Sequence, residues 1–104
     1  MDILDKISGF DWDRGNRTKC EKHGITVEAI EDVFSRQIII LPDETHSEKE
    51  RRFRAIGYMQ DQRAMFVVFT LRHRGKKVLV RPISARYMHK KEIDLYEKEE
   101  APDI

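Results

Sequence analysis

The 104-residue chain has a single cysteine, Cys20, so an internal disulfide cannot form and a disulfide-stapled scaffold is excluded. Long hydrophobic runs are missing as well. The longest, Ala64 to Leu71, spans eight residues and includes Thr70, whereas a membrane helix needs roughly 20. The opening decapeptide MDILDKISGF is acidic and lacks an extended apolar stretch, which argues against a secretory leader and for a reducing, cytoplasmic setting. Neither a GxGxxG nor a Walker pattern occurs, so nucleotide binding of those kinds has no support. The four histidines (His23, His46, His73, His89) show no metal-ligand spacing, and Cys20 with His23 has no second pair nearby. No metal and no cofactor are expected. A Ser/His/Asp set, paired carboxylates in evident register, internal repeats and low-complexity segments are also lacking, which leaves a hydrolase of small substrates unsupported.

Net charge is small too, at +1, but this total conceals a strong asymmetry. From Lys49 to Lys91 there are 13 Lys and Arg against two acids, a balance of +11. The segment before it carries six bases against 11 acids, and the segment after it one against six, so each flank stands at −5. A basic block between two acidic ones points to an anionic partner for the block more than the total does.

The pattern along the chain predicts one α+β domain, with residues 1–9 and 98–104 at frayed ends. Phe10 to Trp12 reads as a short extended entry. Asp13 caps a helix over about Arg14 to His23, with Gly24 as the residue that ends it. Thr26 caps a second helix, Val27 to Ser35, whose Val27, Ile30, Val33 and Phe34 share a face. Ile38 to Leu41, Arg52 to Tyr58, Ala64 to Leu71 and Val78 to Ser84 read as strands. The loop Asp43 to Glu50 and turns near Gln60 to Gln62 and at Gly75 separate them. Pro82 implies an edge position or a bulge, and apolar residues on both faces of Ala64 to Leu71 imply a central strand. Met88 to Glu99 makes a terminal helix with Ile93 and Tyr96 on one side. Short turns between successive strands predict an antiparallel sheet of about four strands, with two N-terminal helices and one C-terminal helix.

The basic block falls on the predicted meander. Arg52 and Arg54 alternate with Phe53 and Ala55 and so share a polar face. Arg81 shares a face with Leu79 and Ile83, where it either points into a groove or is paired. Arg72 and Arg74 stand at a hairpin end, and Arg86, Lys90 and Lys91 lead into the last helix. Several guanidinium forks on one sheet suit phosphate oxygens, and an exposed aromatic such as Tyr87 could stack a base. A solvated face and protection of sheet edges explain the same residues without a ligand. Lys22 and His23 stand at a helix end, where both favour the negative end of the dipole; the sharper reading makes His23 a proton-transfer group and Lys22 a phosphate clamp. Glu48 and Glu50 precede Arg52, where they either orient it or are solvated loop acids. Phe66 and Phe69 read as core, and Cys20 as a half-buried small residue.

Ordered motifs also make the chain similar to a known family. Trp12-Asp13-Arg14-Gly15-Asn16, Lys19-Cys20-Glu21-Lys22-His23-Gly24, Glu28-Ala29-Ile30-Glu31 and Phe34 resemble the BrnT toxins. So do His46-Ser47-Glu48, Arg52-Phe53-Arg54-Ala55-Ile56-Gly57, and the closing run Arg81 to Ile93 with Tyr96-Glu97. The likeness covers about Phe10 to Glu97. It implies a RelE-like fold and a ribonuclease toxin of a bacterial type II toxin–antitoxin pair. It also implies a BrnA-like DNA-binding antitoxin that covers the toxin in a hetero-oligomer, with RNA as substrate and no membrane partner. Residue type and motif together assign a metal-independent endoribonuclease that arrests translation. Arg52, Arg81 and Arg86 would bind the scissile phosphate and stabilise the transition state, with His23 transferring a proton. Lys22, Arg54, Arg72, Tyr87, His89 and Lys90 would contact RNA. The rival expectations are a non-catalytic or degenerate toxin-like module that holds an antitoxin, and a nucleic-acid binder without cleavage.

Overall fold

The computed structural model describes residues 6–36, 38–43 and 50–100, the side chains of residues 96 and 98–100 excepted. The order is β1 (Ile7–Phe10), α1 (Arg14–Glu21), α2 (Val27–Phe34), β2 (Ile38–Pro42), β3 (Arg52–Tyr58), β4 (Ala64–Arg74), β5 (Lys77–Tyr87) and α3 (Lys90–Glu100). The five strands form one sheet in the order β1-β5-β4-β3-β2. From β2 to β5 all neighbours are antiparallel, while β1 lies parallel to β5. The α+β class and the antiparallel meander are as the sequence predicts; the sheet is mixed and has one strand more. That strand includes Ile7 to Gly9, expected at a frayed end. Four residues containing Ser8 and Gly9 give a weak strand pattern, and their partner lies about 70 positions away, where no turn signal links them.

The two N-terminal helices each start where a side chain can satisfy a free N–H group. Asp13 accepts from the Asn16 amide at 3.0 Å while the Asn16 side chain accepts from the Asp13 N–H at 2.7 Å, a reciprocal cap for α1. Thr26 caps α2 by accepting from Ala29 at 3.0 Å. Gly24 takes φ +79° between the two helices, a conformation that suits glycine. The α1 helix ends two residues earlier than predicted, which leaves Lys22 and His23 in the connecting turn.

Alternation along the strands then sorts side chains onto two faces. One face carries Phe53 and Ala55 from β3, Met65, Val67, Phe69 and Leu71 from β4, and Val80 and Ala85 from β5. They pack with Cys20, Ile25, Ile30, Val33 and Phe34 of the N-terminal helices and their connection. Phe69 is fully buried and touches Phe34 edge-on and Phe53 in a stack. A methyl group on Gly57 would come within 2.7 Å of Ile38 Cγ2 and 2.9 Å of Val33 Cγ1, so α2 and β2 approach each other over a position that only glycine fills. On the other face a smaller cluster of Ile56, Ala64 and Met88 packs with Ile39, Leu41, Phe66 and Ile93, placing α3 over one end of the sheet. Cys20 is wholly buried, deeper than expected, and burial pushes its thiol up to about 11. Among the described residues no helix is long and apolar enough to cross a membrane.

The β4–β5 register slips between Val68 and Phe69, so Val68 faces Ser84 and Phe69 faces Pro82, with Ile83 as the extra residue. Pro82 also stands just past the point where β1 leaves β5, at Asp11 N–H to Val80 C=O. Both devices expected for a proline in a strand are therefore present.

Candidate functional site

The face opposite α1 and α2 is built as cross-strand rows. Starting at the α3 end, Ile56, Phe66 and Arg86 form one row, Arg54, Val68 and Ser84 the next, and Arg52, Thr70 and Arg81 the third. Arg72 opposite Leu79 and Arg74 opposite Lys77 continue toward the hairpin. Two strand spacings separate Arg52 from Arg81, on the order of 10 Å. Between them Thr70 is buried and donates its hydroxyl to Arg51 C=O at 2.7 Å, which satisfies it without using either arginine. Alternation along β3 and β4, together with the one-residue bulge in β5 that brings Arg81 into phase with Arg86, thus sets arginines from three strands side by side on one surface.

Carboxylates from other parts of the chain meet these arginines. Glu50 accepts from Arg72 Nη1 at 2.6 Å and stands 3.9 Å from Arg52 Nη2. Asp13 accepts from Arg81 Nη2 at 2.9 Å, and Asp11 lies 3.6 Å from Arg81 Nη1 and 3.4 Å from Arg74. The caps of α1 and the Arg81 fork hold the Asp13 carboxyl below its ordinary value, the Asn16 amide first. Glu92 takes both Nη groups of Arg86, each at 2.8 Å, in a bidentate pair. It also accepts from the His89 amide at 3.1 Å, and these bonds, Arg86 first, hold its carboxyl down at about 2. Arg86 further stacks over Phe66 at 4.8 Å. Farther along α3, the Tyr58 hydroxyl donates to Glu97, which pushes the phenol pKa up.

Asn16 connects this surface to the helix layer. It is 4% exposed, and its Nδ2 donates to Asp11 C=O at 2.9 Å and to Pro82 C=O at 2.8 Å. Together with the α1 cap these bonds tie Asp11, Asp13 and the Arg81-Pro82 step into one unit.

The predicted site residues divide into two groups. Arg52, Arg54, Arg72, Arg81 and Arg86 share the face described above, and Arg54 Nη2 donates to Pro42 C=O at 3.4 Å. Arg81, left open between groove and pairing, is paired. Lys22 and His23 are exposed in the turn after α1, and neither side chain makes a hydrogen bond or ion pair with the described residues. Tyr87 lies opposite Met65 on the helix-covered face, under the Arg63 guanidinium at 4.2 Å. His89 and Lys90 are exposed where α3 begins. Of the two readings of Glu50, the one that sets it beside Arg52 holds, whereas His46 and Glu48 lie outside the described residues, as do residues 44–49 of the predicted loop. The sequence assigns no role to Asp11, Asn16 or Glu92, although Asn16 and Glu92 stand within the family motifs. Asp13-x-x-Asn16 and His89-x-x-Glu92 do have the spacing of reciprocal caps, which was the available signal.

The family model for BrnT, the ribonuclease toxin of type II toxin–antitoxin systems, matches residues 12–92. No curated protein matches the chain. The matched span includes Asp13, Asn16, all the arginines of the rows and Glu92, and the chain belongs to the BrnT family of ribonuclease toxins.

Proposed function

We propose that this BrnT toxin is a metal-independent endoribonuclease that arrests translation, with the arginine rows as its RNA-binding and catalytic surface. The observation that carries this reading is the placement of Arg52, Arg81 and Arg86 on one sheet face, from two strands that flank β4. In the reaction the RNA 2′-hydroxyl attacks its own 3′-phosphate, the bond to the 5′-oxygen breaks, and a cyclic phosphate remains. The hydroxyl proton leaves to a base, and the departing oxygen takes a proton from an acid. Negative charge gathers on the phosphate oxygens in the transition state. Guanidinium groups already fixed by carboxylates stabilise that charge without having to reorganise. Arg54 and Arg72 extend the cationic surface for the flanking backbone. His23, with Lys22 beside it, is proposed as the proton-transfer group on its chemistry alone: both follow α1, which packs on the sheet face opposite the arginine rows, so RNA would have to pass around the sheet to meet both sets. Lys90, His89 and Tyr87 are the outer RNA contacts, Tyr87 the weakest since it lies across the sheet.

The partner is proposed to be a BrnA-like DNA-binding antitoxin that covers or competes for the same basic face in a hetero-oligomer, in the cytoplasm. The pairing of Arg81 with Asp13 equally favours a second reading, in which the chain binds its antitoxin but no longer cleaves RNA. Purified protein on total RNA decides between them. Cleavage should persist in EDTA and be lost in an Arg81→Ala, Arg86→Ala double variant. Undiminished cleavage by that variant would overturn the residue assignment, and intact RNA with the wild-type chain would favour the second reading. Expression of the chain alone should arrest growth, and the same assay with and without ribosomes tests the link to translation.

A further inference from the structure

We infer that Asp13 is a positioning residue: one carboxylate that caps α1 and, with its other oxygen, fixes the direction of the Arg81 fork. This rests on the reading above that Arg81 contacts the phosphate. Asp13 Oδ1 accepts from the Asn16 amide at 3.0 Å, and Oδ2 accepts from Arg81 Nη2 at 2.9 Å. Each oxygen therefore has a separate duty. Asp11 Oδ2 stands 3.6 Å from the other guanidinium nitrogen, Nη1. The Arg81 side chain is 20% exposed while that of Asp13 is 55% exposed, so the fork is enclosed and its acceptor faces outward.

The unit is rigid on both sides. Asn16 holds Asp13 through its backbone N–H and holds the β5 bulge through Pro82 C=O. Arg81 directly precedes that proline. The distance between the α1 cap and the Arg81 strand is thus set by a buried amide instead of by the arginine itself. A long side chain in water samples many rotamers, and a misplacement of about 1 Å at a reacting group is enough to cost a large factor in rate. The carboxylate supplies the orientation that β5, bulged at this point, does not.

Three roles for Asp13 give different results. A cap alone predicts no kinetic effect from Asp13→Asn, because asparagine caps helices as well as aspartate. A carboxylate that merely competes with phosphate for Arg81 predicts faster cleavage and tighter RNA binding once its charge is removed. A positioning residue predicts slower turnover without weaker binding.

The experiment measures kcat and KM for RNA cleavage by the full chain and by Asp13→Asn, Asp13→Ser, Arg81→Ala and the Asp13→Asn, Arg81→Ala double variant. Asp13→Asn should melt within a few degrees of wild type, lower kcat roughly tenfold or more and leave KM equal or lower. Asp13→Ser keeps a capping oxygen and should show the same split if Asp13→Asn misfolds. In the Arg81→Ala background Asp13→Asn should change kcat no further, because the acid acts through the arginine. Wild-type or raised kcat in Asp13→Asn, with Arg81→Ala inactive, overturns the inference and leaves the functional reading standing. Wild-type kcat in Arg81→Ala removes Arg81 from the site and takes the inference with it.

Discussion

The two faces of the sheet are made from the same strands and have opposite chemistry. On β3, Phe53, Ala55 and Gly57 meet the helices, while Arg52 and Arg54 between them face the other way. On β4, Met65, Val67 and Phe69 are fully buried, while Thr70 and Arg72 belong to the arginine rows. A period of two lets one strand serve a packed core and a charged surface without a compromise at any single position. Substitutions on the helix-covered face should therefore register in stability, and those among the arginine rows in cleavage.

Deleting the ring at the centre of the core tests the first half most severely. Phe69→Ala should cost about 3–5 kcal/mol in chemical denaturation, enough to unfold a marginal domain of this size. Arg52→Ala, one residue from Phe53 but on the other face, should shift stability by less than about 1 kcal/mol while lowering RNA cleavage roughly 100-fold. A large stability loss in Arg52→Ala would show that the faces are coupled. Gly57→Ala adds a methyl against Ile38 and Val33, two branched side chains with little room to yield. It should destabilise by about 1–3 kcal/mol and leave the cleavage rate of the folded fraction unchanged.

Acid titration gives a smaller effect from the arginine side. Because Arg86 holds the Glu92 carboxyl at about 2, the stabilisation from this pair is complete above the ordinary value of 4.5 and is lost as pH falls through about 2. Glu92→Gln should flatten the dependence of melting temperature on pH in that window, with its main deficit above it. The smallest expected change is in salt dependence. If Arg52 contacts one RNA phosphate, Arg52→Ala should reduce the slope of log affinity against log salt by about 0.7.

Most local structure was legible because its causes are local. Asp13, Thr26 and Gly24 mark helix ends by their own chemistry, and the β3 bounds follow from strict alternation between Phe53, Ala55, Gly57 and their neighbours. The shared face of Arg52 and Arg54 follows from the same alternation. What escaped is long-range. Nothing near Ile7 announces a parallel partner at Val78, and the phase of Arg81 relative to β4 depends on a bulge that Pro82 only hinted at. The acids that meet the arginines were visible only as flanks of opposite charge. Their pairing joins residues as far apart as Asp13 and Arg81, and it turns a basic block that reads as +11 in sequence into a surface threaded with carboxylates. Tyr87 shows the limit from another side, since a residue two positions past Ala85 falls on the core face and no motif reports that.

The Asn16 bond to Pro82 spans 66 residues of chain. A polypeptide is made from its N-terminus onward, so Asp11, Asp13 and Asn16 are synthesised early and wait for their partners until β5 has left the ribosome. Until then β1 has no strand to pair with and Asp13 has no guanidinium to hold. A nascent chain halted at the end of β4 would contain Arg52 and Arg72 but neither Arg81 nor Arg86. The paired arginine surface is thus one of the last things the translation machinery completes, and if it is the cleaving surface proposed above, a prematurely terminated copy should be inactive.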